Sequence, residues 1–295
     1  MSALELGTSE PLGDAEPDQG PRARRGALLR GRGLAGLSLV GVVVLAGLLA
    51  PLIAPYSPQE QLPDANLLGA SAGHLFGTDE VNRDVFSRVL HGIRADLLVC
   101  LIAVPCGAVL GGLLGLVASQ YGPADVAAQR AFDIILAFPP IILGIGIAAV
   151  TGVGMLPVIC VVIGTELPIF GRLVRTATLK VRELPYVDAA ESMGATRAWV
   201  LRKHVVPNIL DAVIVQLALS ASMAVFISSA MNFIGIGVRP PSPSLGGVLA
   251  DAMAQLGTND MYAIGPLLVI VMLVLGFQLI AQALLAERRH GGGAP

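Results

Sequence analysis

Six uninterrupted apolar stretches set the limits on how this chain can fold: residues 33–55, 97–119, 131–150, 154–170, 209–238 and 263–286. A hydrocarbon core about 30 Å thick is crossed by about 20 apolar residues in a helix. Inside it every backbone N–H and C=O needs a partner within the protein, which leaves helices and closed barrels as spanning structures. A barrel would require strands of about ten residues that alternate apolar and polar, and these runs are continuous. The chain therefore reads as an all-α integral membrane protein with six transmembrane helices. Its 54% apolar residues, 14% charged residues and mean hydropathy of +0.75 exclude an ordinary soluble domain.

The chain divides into an unstructured cytoplasmic N-terminal tail (1–32), a first transmembrane helix (33–55), an extracytoplasmic segment (56–96), a five-helix core (97–286) and a cytoplasmic C-terminal tail (287–295). The tail's richness in Glu, Asp, Pro and Gly cannot support a packed core. The first apolar run is too long for a signal-peptide core and lacks a small-x-small site after it, so it is read as a retained span. Lys and Arg resist translocation. With both termini inside, fifteen of the 19 basic residues fall on the cytoplasmic side, leaving Arg83, Arg88, Arg94 and Arg239 outside. The outer segments also hold Glu60, Asp64, Asp79, Glu80, Asp84, Asp96, Asp251 and Asp260. Asp133 and Glu166 are the candidate buried acids, with a solvated position near an interface as the alternative for both.

Cys100, Cys106 and Cys160 lie in apolar runs without metal-ligand or paired spacing and are expected as buried small hydrophobes. The four histidines are scattered, and no metal site is expected. Gly144, Gly146, Gly152 and Gly154 are expected to let helices pack closely. Phosphate-cradling chemistry of the G-x-x-x-x-G-K-[ST] kind is absent, because neither Lys180 nor Lys203 follows a glycine. No catalytic residue is assigned, and any ATP-derived energy has to arrive through another polypeptide.

Between the fourth and fifth apolar runs stands a polar, helix-compatible insert, 186–208, within a loop spanning 176–208. Pro185 favours a helix start, Asp188 suits the positive end of a helix, and Ala189 and Ala190 leave little side-chain bulk. Gly194 can adopt the left-handed conformation that ends one helix, and Thr196 can cap the next. The insert is expected as a helix-turn-helix elbow, with Ala189, Ala190 and Gly194 forming a close-contact face. An ordinary basic loop over lipid phosphates is the plainer alternative.

Asp188-Ala189-Ala190, with Gly194 four residues further on and Pro207 thirteen after that, resembles the "EAA" loop of ATP-binding-cassette importer permeases, with Asp in place of the usual Glu. Residues 74–88, 132–140 and 232–246 resemble segments of the dipeptide, oligopeptide and nickel permeases; Asn82 stands where that group usually has glycine. Residues 278–289 depart from its usual polar ending. The resemblance implies a type I importer fold in the bacterial cytoplasmic (inner) membrane, with a cytoplasmic coupling helix between spans 4 and 5. Tyr186, Val187, Asp188, Ala189, Ala190, Glu191, Met193, Gly194 and Ala195 would meet the ATPase. Implied partners are a homologous second permease, two cytoplasmic ATPase subunits that bind ATP and Mg, an extracytoplasmic solute-binding protein and membrane lipid, with no nucleic acid. The cargo would be di- or oligopeptides, or nickel or another small solute.

A stand-alone channel or secondary transporter is the competing class. It would need intramembrane charges and commonly inverted repeats, and no clear repeat is present. An unpaired acid at the bilayer centre costs about 2.5–3.5 kcal/mol on insertion scales, so Glu166 is expected to face protein or an aqueous pathway. The charge asymmetry predicts that single cysteines at Ser71 and Ser242 react with a membrane-impermeant thiol reagent in intact cells, whereas one at Ser192 does not. The opposite pattern would invert the topology.

Overall fold

The computed structural model describes residues 28–29 and 31–291, with side chains placed as far as residue 286. Most of the expected tail 1–32, and the end of the expected C-terminal tail, lie outside the described residues. Among the described residues the only extended pairing is an isolated bridge between Thr78 and Asp84. The helices are α1 (Gly31–Leu48), α2 (Val85–Ala118), α3 (Gly122–Ala137), α4 (Pro140–Thr151), α5 (Met155–Arg182), α6 (Pro185–Ser192), α7 (Arg197–Phe233), α8 (Leu245–Ala252) and α9 (Asp260–Gly291). Five of them, α1, α2, α5, α7 and α9, are long and apolar enough to cross a membrane. The bent pair α3 and α4, which meet at 89°, counts as a sixth crossing if the two form one broken span.

That bend corrects the expected third span, 131–150, which straddles it. Proline pushes the residue before it out of helical backbone. Here Phe138 precedes Pro139 and Pro139 precedes Pro140, with ψ values of 129° and 132°. Two other boundaries move outward. The helix expected from residue 97 begins at Val85, because Asp84 caps it by accepting from the Ser87 N–H and hydroxyl, both at 2.7 Å. The short fourth run becomes the 28-residue α5, whose basic lower half pairs with α3 through Arg175–Asp125 and Arg172–Asp133. Asp133 is thus half-exposed in an ion pair and not buried within a span. The atypical segment 278–289 simply continues α9 as helix.

The tightest packing lies between α2 and α5. Gly107, Gly111 and Gly115 recur every fourth residue, so they form one stripe along α2. A Cβ at Gly111 would sit 2.1 Å from the Leu167 carbonyl oxygen, and one at Gly115 equally close to that of Gly171. Backbones therefore touch with no side chain between them, the small-residue contact that membrane helices use where lipid removes the usual hydrophobic drive. Gly36 and Gly276 make a similar crossing of α1 on α9. Of the glycines expected to assist packing, only Gly144 does so, against the Met231 side chain. Gly146 faces open space, and Gly152 (φ 83°) and Gly154 (φ 150°) are turn residues between α4 and α5. None of the cysteines is fully buried, and Cys106 is exposed. An apolar sequence does not mark the inside here, since the outer face of a membrane helix is apolar too.

Gly111→Val should destabilise the protein by about 1–3 kcal/mol or more, as overpacking does, because it must move backbone and not a side-chain tip. Gly41→Val, with no atom within 4 Å of its Cβ position, serves as the control. Thermal unfolding of the two variants in detergent checks the difference.

Candidate coupling surface and membrane-embedded polar sites

The elbow is built as its residue types dictate. Pro185 occupies the first turn of α6, where its missing N–H is no loss. Gly194 ends the helix with φ 89°. The Gly194 N–H donates to the Glu191 carbonyl at 2.9 Å and the Ala195 N–H to the Ala190 carbonyl at 3.0 Å, the paired bonds of a Schellman ending. The Thr196 hydroxyl then accepts from the Trp199 N–H at 3.3 Å and starts α7. A π turn at Leu201–Val205 opens the hydrogen-bond ladder where the Pro207 ring would otherwise crowd the residue-203 carbonyl.

Only part of the expected contact face points outward. Val187 and Ala190 are buried, and Val187 packs with Val181, Val200, Val205 and Ile209 between the lower ends of α5 and α7. Three positions apart on a helix, they form its inner stripe. Ala190 is therefore an anchor of the elbow and not a member of the close-contact face. Tyr186, Asp188, Ala189, Glu191, Met193 and Gly194 are exposed, Met193 by 82%, and Ala195 is half-buried. The Tyr186 ring lies 5.3 Å from the His204 ring, which in turn meets Trp199 at 5.2 Å. Asn208 donates to the Tyr186 hydroxyl at 3.3 Å. These contacts tie the start of α6 to α7, so a displacement of one element reaches the other.

Glu166 is fully buried, eleven residues into α5 and well away from either end. A Cβ at Gly107 would lie 2.5 Å from its own Cβ, so α2 closes one side and the carboxylate is directed toward α7. The Ser220 hydroxyl donates to Oε2 and is itself approached by the Gln216 amide at 3.3 Å. Oε1 has no partner. Beside it opens a cavity of about 310 Å³ bounded by α5, α7 and α9.

Asp96, expected among the exposed outer acids, is fully buried. It accepts from the Ser228 hydroxyl at 2.6 Å, the Asn232 amide at 3.4 Å and the Leu245 N–H at 3.2 Å, and so joins α2, α7 and the start of α8. Asp79 and Asp84 are buried as well. Asp79 accepts from Arg83 Nε at 2.7 Å and from the N–H groups of Val81 and Arg83, while His74 bonds Asp84 at 2.9 Å. Asn82 has φ 64°, a backbone conformation open to glycine and tolerated by asparagine. That explains its substitution for glycine in a segment otherwise so similar to known permeases. The signal available in the sequence was spacing: Asp96 stands four residues after Gly92, whose face presses on Ser244.

Five long apolar helices, a bent pair between the second and third of them and a polar elbow before the fourth define a multi-span membrane protein. Residues 106–289 match the family model "Binding-protein-dependent transport system inner membrane component", and the chain belongs to that family. It is 35% identical over 252 residues to the dipeptide transport system permease protein DppC of Alkalihalophilus pseudofirmus, covering 85% of this chain and 83% of that one. The glutathione transport system permease protein GsiD of Pectobacterium atrosepticum is 35% identical over 254 residues, with 85% and 83% covered. The di/tripeptide transport system permease protein DppC of Pseudomonas aeruginosa is 36% identical over 259 residues, with 85% of each covered. Among solved structures, an inward-facing MetNI methionine ABC transporter superposes with a TM-score of 0.52 at 21% identity, covering 69% of this chain and 94% of that chain. That likeness concerns the fold, which is of the type I importer kind.

The two alanines of the elbow should separate cleanly. Ala190→Trp is expected to loosen the elbow, an overpacking cost of about 1–3 kcal/mol, and to speed proteolytic cleavage near Gly194. Ala189→Trp, on the exposed face, should leave the cleavage rate within about twofold of wild type, the range of surface substitutions.

Proposed function

We propose that this chain is the transmembrane subunit of an ATP-driven importer that moves di- or oligopeptides across the cytoplasmic membrane by alternating access. The observation that carries this reading is the elbow: a short helix anchored by Val187 and Ala190, with its other face free. Such a helix presents Asp188, Ala189, Glu191 and Met193 with little steric bulk near the turn, which suits a groove on a soluble partner. Three relatives named for dipeptide, di/tripeptide and glutathione transport support a peptide cargo.

In the proposed assembly the chain pairs with a homologous permease, two cytoplasmic ATPase subunits bind ATP and Mg, and an external binding protein delivers substrate. Both termini lie inside, as the basic residues favour. The subunit itself makes and breaks no covalent bond. ATP binding draws the ATPases together, and each pulls on an elbow; the Tyr186–His204–Trp199 contact and the valine cluster pass that movement to α5 and α7. Selectivity rests mainly with the binding protein, and the permease supplies the path.

Gly194 is the sharpest probe of coupling. No atom lies within 4 Å of the position its Cβ would take, so a side chain there clashes with nothing in this chain. Gly194→Val instead forces a β-branched residue to φ 89°, a strain of about 1–3 kcal/mol, which reshapes the turn. The variant should insert and pair with its sister permease yet lose ATPase binding or substrate-stimulated ATP hydrolysis. Normal peptide uptake by normally expressed Gly194→Val would remove the coupling assignment.

A further inference from the structure

Glu166 is an ionisable residue in the apolar interior, and only one of its two carboxyl oxygens has a hydrogen-bond partner among the described residues. Oε2 is held by Ser220, and Gln216 braces that hydroxyl in turn. Oε1 is buried without a partner, beside the 310 Å³ cavity between α5, α7 and α9. Lipid cannot satisfy it, because acyl chains donate no hydrogen bond. Among the described residues no lysine or arginine lines the cavity. A donor from outside these walls, such as an ammonium, would complete the hydrogen bonding of Oε1.

We infer that Glu166 is the binding point for the N-terminal ammonium of the peptide in transit, with the cavity taking the first residue. The proposal rests on the reading of the chain as a peptide permease and names the group its path recognises. An ammonium has three donors and no acceptor. The carboxylate Oε1 and the amide oxygens of Gln216 and Gln278 are acceptors on three different helices around the same space. Met223, Phe226 and Val274 complete the wall with apolar surface suited to a side chain. A cavity of this size is at the small end of ligand sites, enough for a residue or two and too small for a folded solute. The absence of a basic residue leaves the peptide's own carboxylate nothing to bind here, so it would point away from Glu166. The Gly107 contact supports the same orientation, because it blocks the α2 side and leaves the carboxylate facing only α7 and the cavity.

The test uses the complete transporter, with sister permease, ATPases and binding protein, reconstituted in lipid. A hydrophobic carbodiimide labels buried carboxyl groups, and mass spectrometry follows the adduct at Glu166. Millimolar Ala-Ala should protect Glu166, while N-acetyl-Ala-Ala at the same concentration should not. Glu166→Gln provides the unlabelled blank and should slow Ala-Ala uptake about tenfold, the effect of one lost charge-assisted hydrogen bond, while Glu166→Asp keeps part of it. Equal protection by both peptides, or by neither, overturns the proposal, as does wild-type uptake by Glu166→Gln. Labelling in the isolated chain that disappears in the peptide-free assembly would assign Oε1 to a partner subunit's side chain and overturn it too. A wild-type assembly that hydrolyses ATP yet takes up no peptide would instead refute the underlying peptide-permease reading.

Discussion

Everything else in the fold depends on the backbone-to-backbone contact of α2 with α5. Three glycines at four-residue spacing line that seam; the carbonyls of Leu167 and Gly171 fill the space at Gly111 and Gly115, and the Glu166 Cβ fills it at Gly107. In lipid there is no hydrophobic gain from bringing two apolar helices together, so close van der Waals contact over a long stripe is what holds them. The contact fixes the middle of α5, from Ile163 to Gly171. It thereby fixes what α5 carries: Glu166 in the interior, Arg172 and Arg175 paired with α3, and the valines that seat the elbow.

A second fixed point lies at the end of α7 opposite the elbow. Burying a carboxylate is tolerable only when hydrogen bonds replace water, and Asp96 receives them from α7 and from the first residues of α8. Asp79 and Asp84 organise the segment before α2 and the start of α2 in the same way. Helix α7 is thus held at its C-terminal end by a polar cluster and at its N-terminal end by the elbow. In the proposed machine this makes α7 a lever: its C-terminal end is pinned, its N-terminal end is moved by the ATPase, and Ser220 and Gln216 beside Glu166 lie between the two.

Much of this was legible in the chain. The number of crossings, the helix-turn-helix elbow, Pro185 at its start, Gly194 at its turn and Thr196 as the next cap follow from local chemistry that neighbouring residues enforce. The bend at Phe138-Pro139-Pro140 was legible too, in the double proline, but a continuous apolar run concealed it. Asp96 is buried although it was expected in an outer segment, and Asp133 takes the solvated one of its two expected environments. Position along a chain gives approximate depth in a bilayer, whereas burial depends on which face of the helix a residue occupies and on what packs there.

The sequence alone determined that the protein spans a membrane, which side its basic loops favour, and the turn chemistry of the elbow at Pro185, Gly194 and Thr196. Those properties rest on transfer energies and backbone preferences, which act over a few residues. Only the tertiary structure decided that Ala190 faces inward, that Gly107 presses on Glu166, that Asp96 binds Ser228 and Asn232, and that one oxygen of Glu166 is left unpartnered. Each of these joins residues far apart in the chain, and the inside and outside of a membrane helix are equally apolar, so no local pattern distinguishes them.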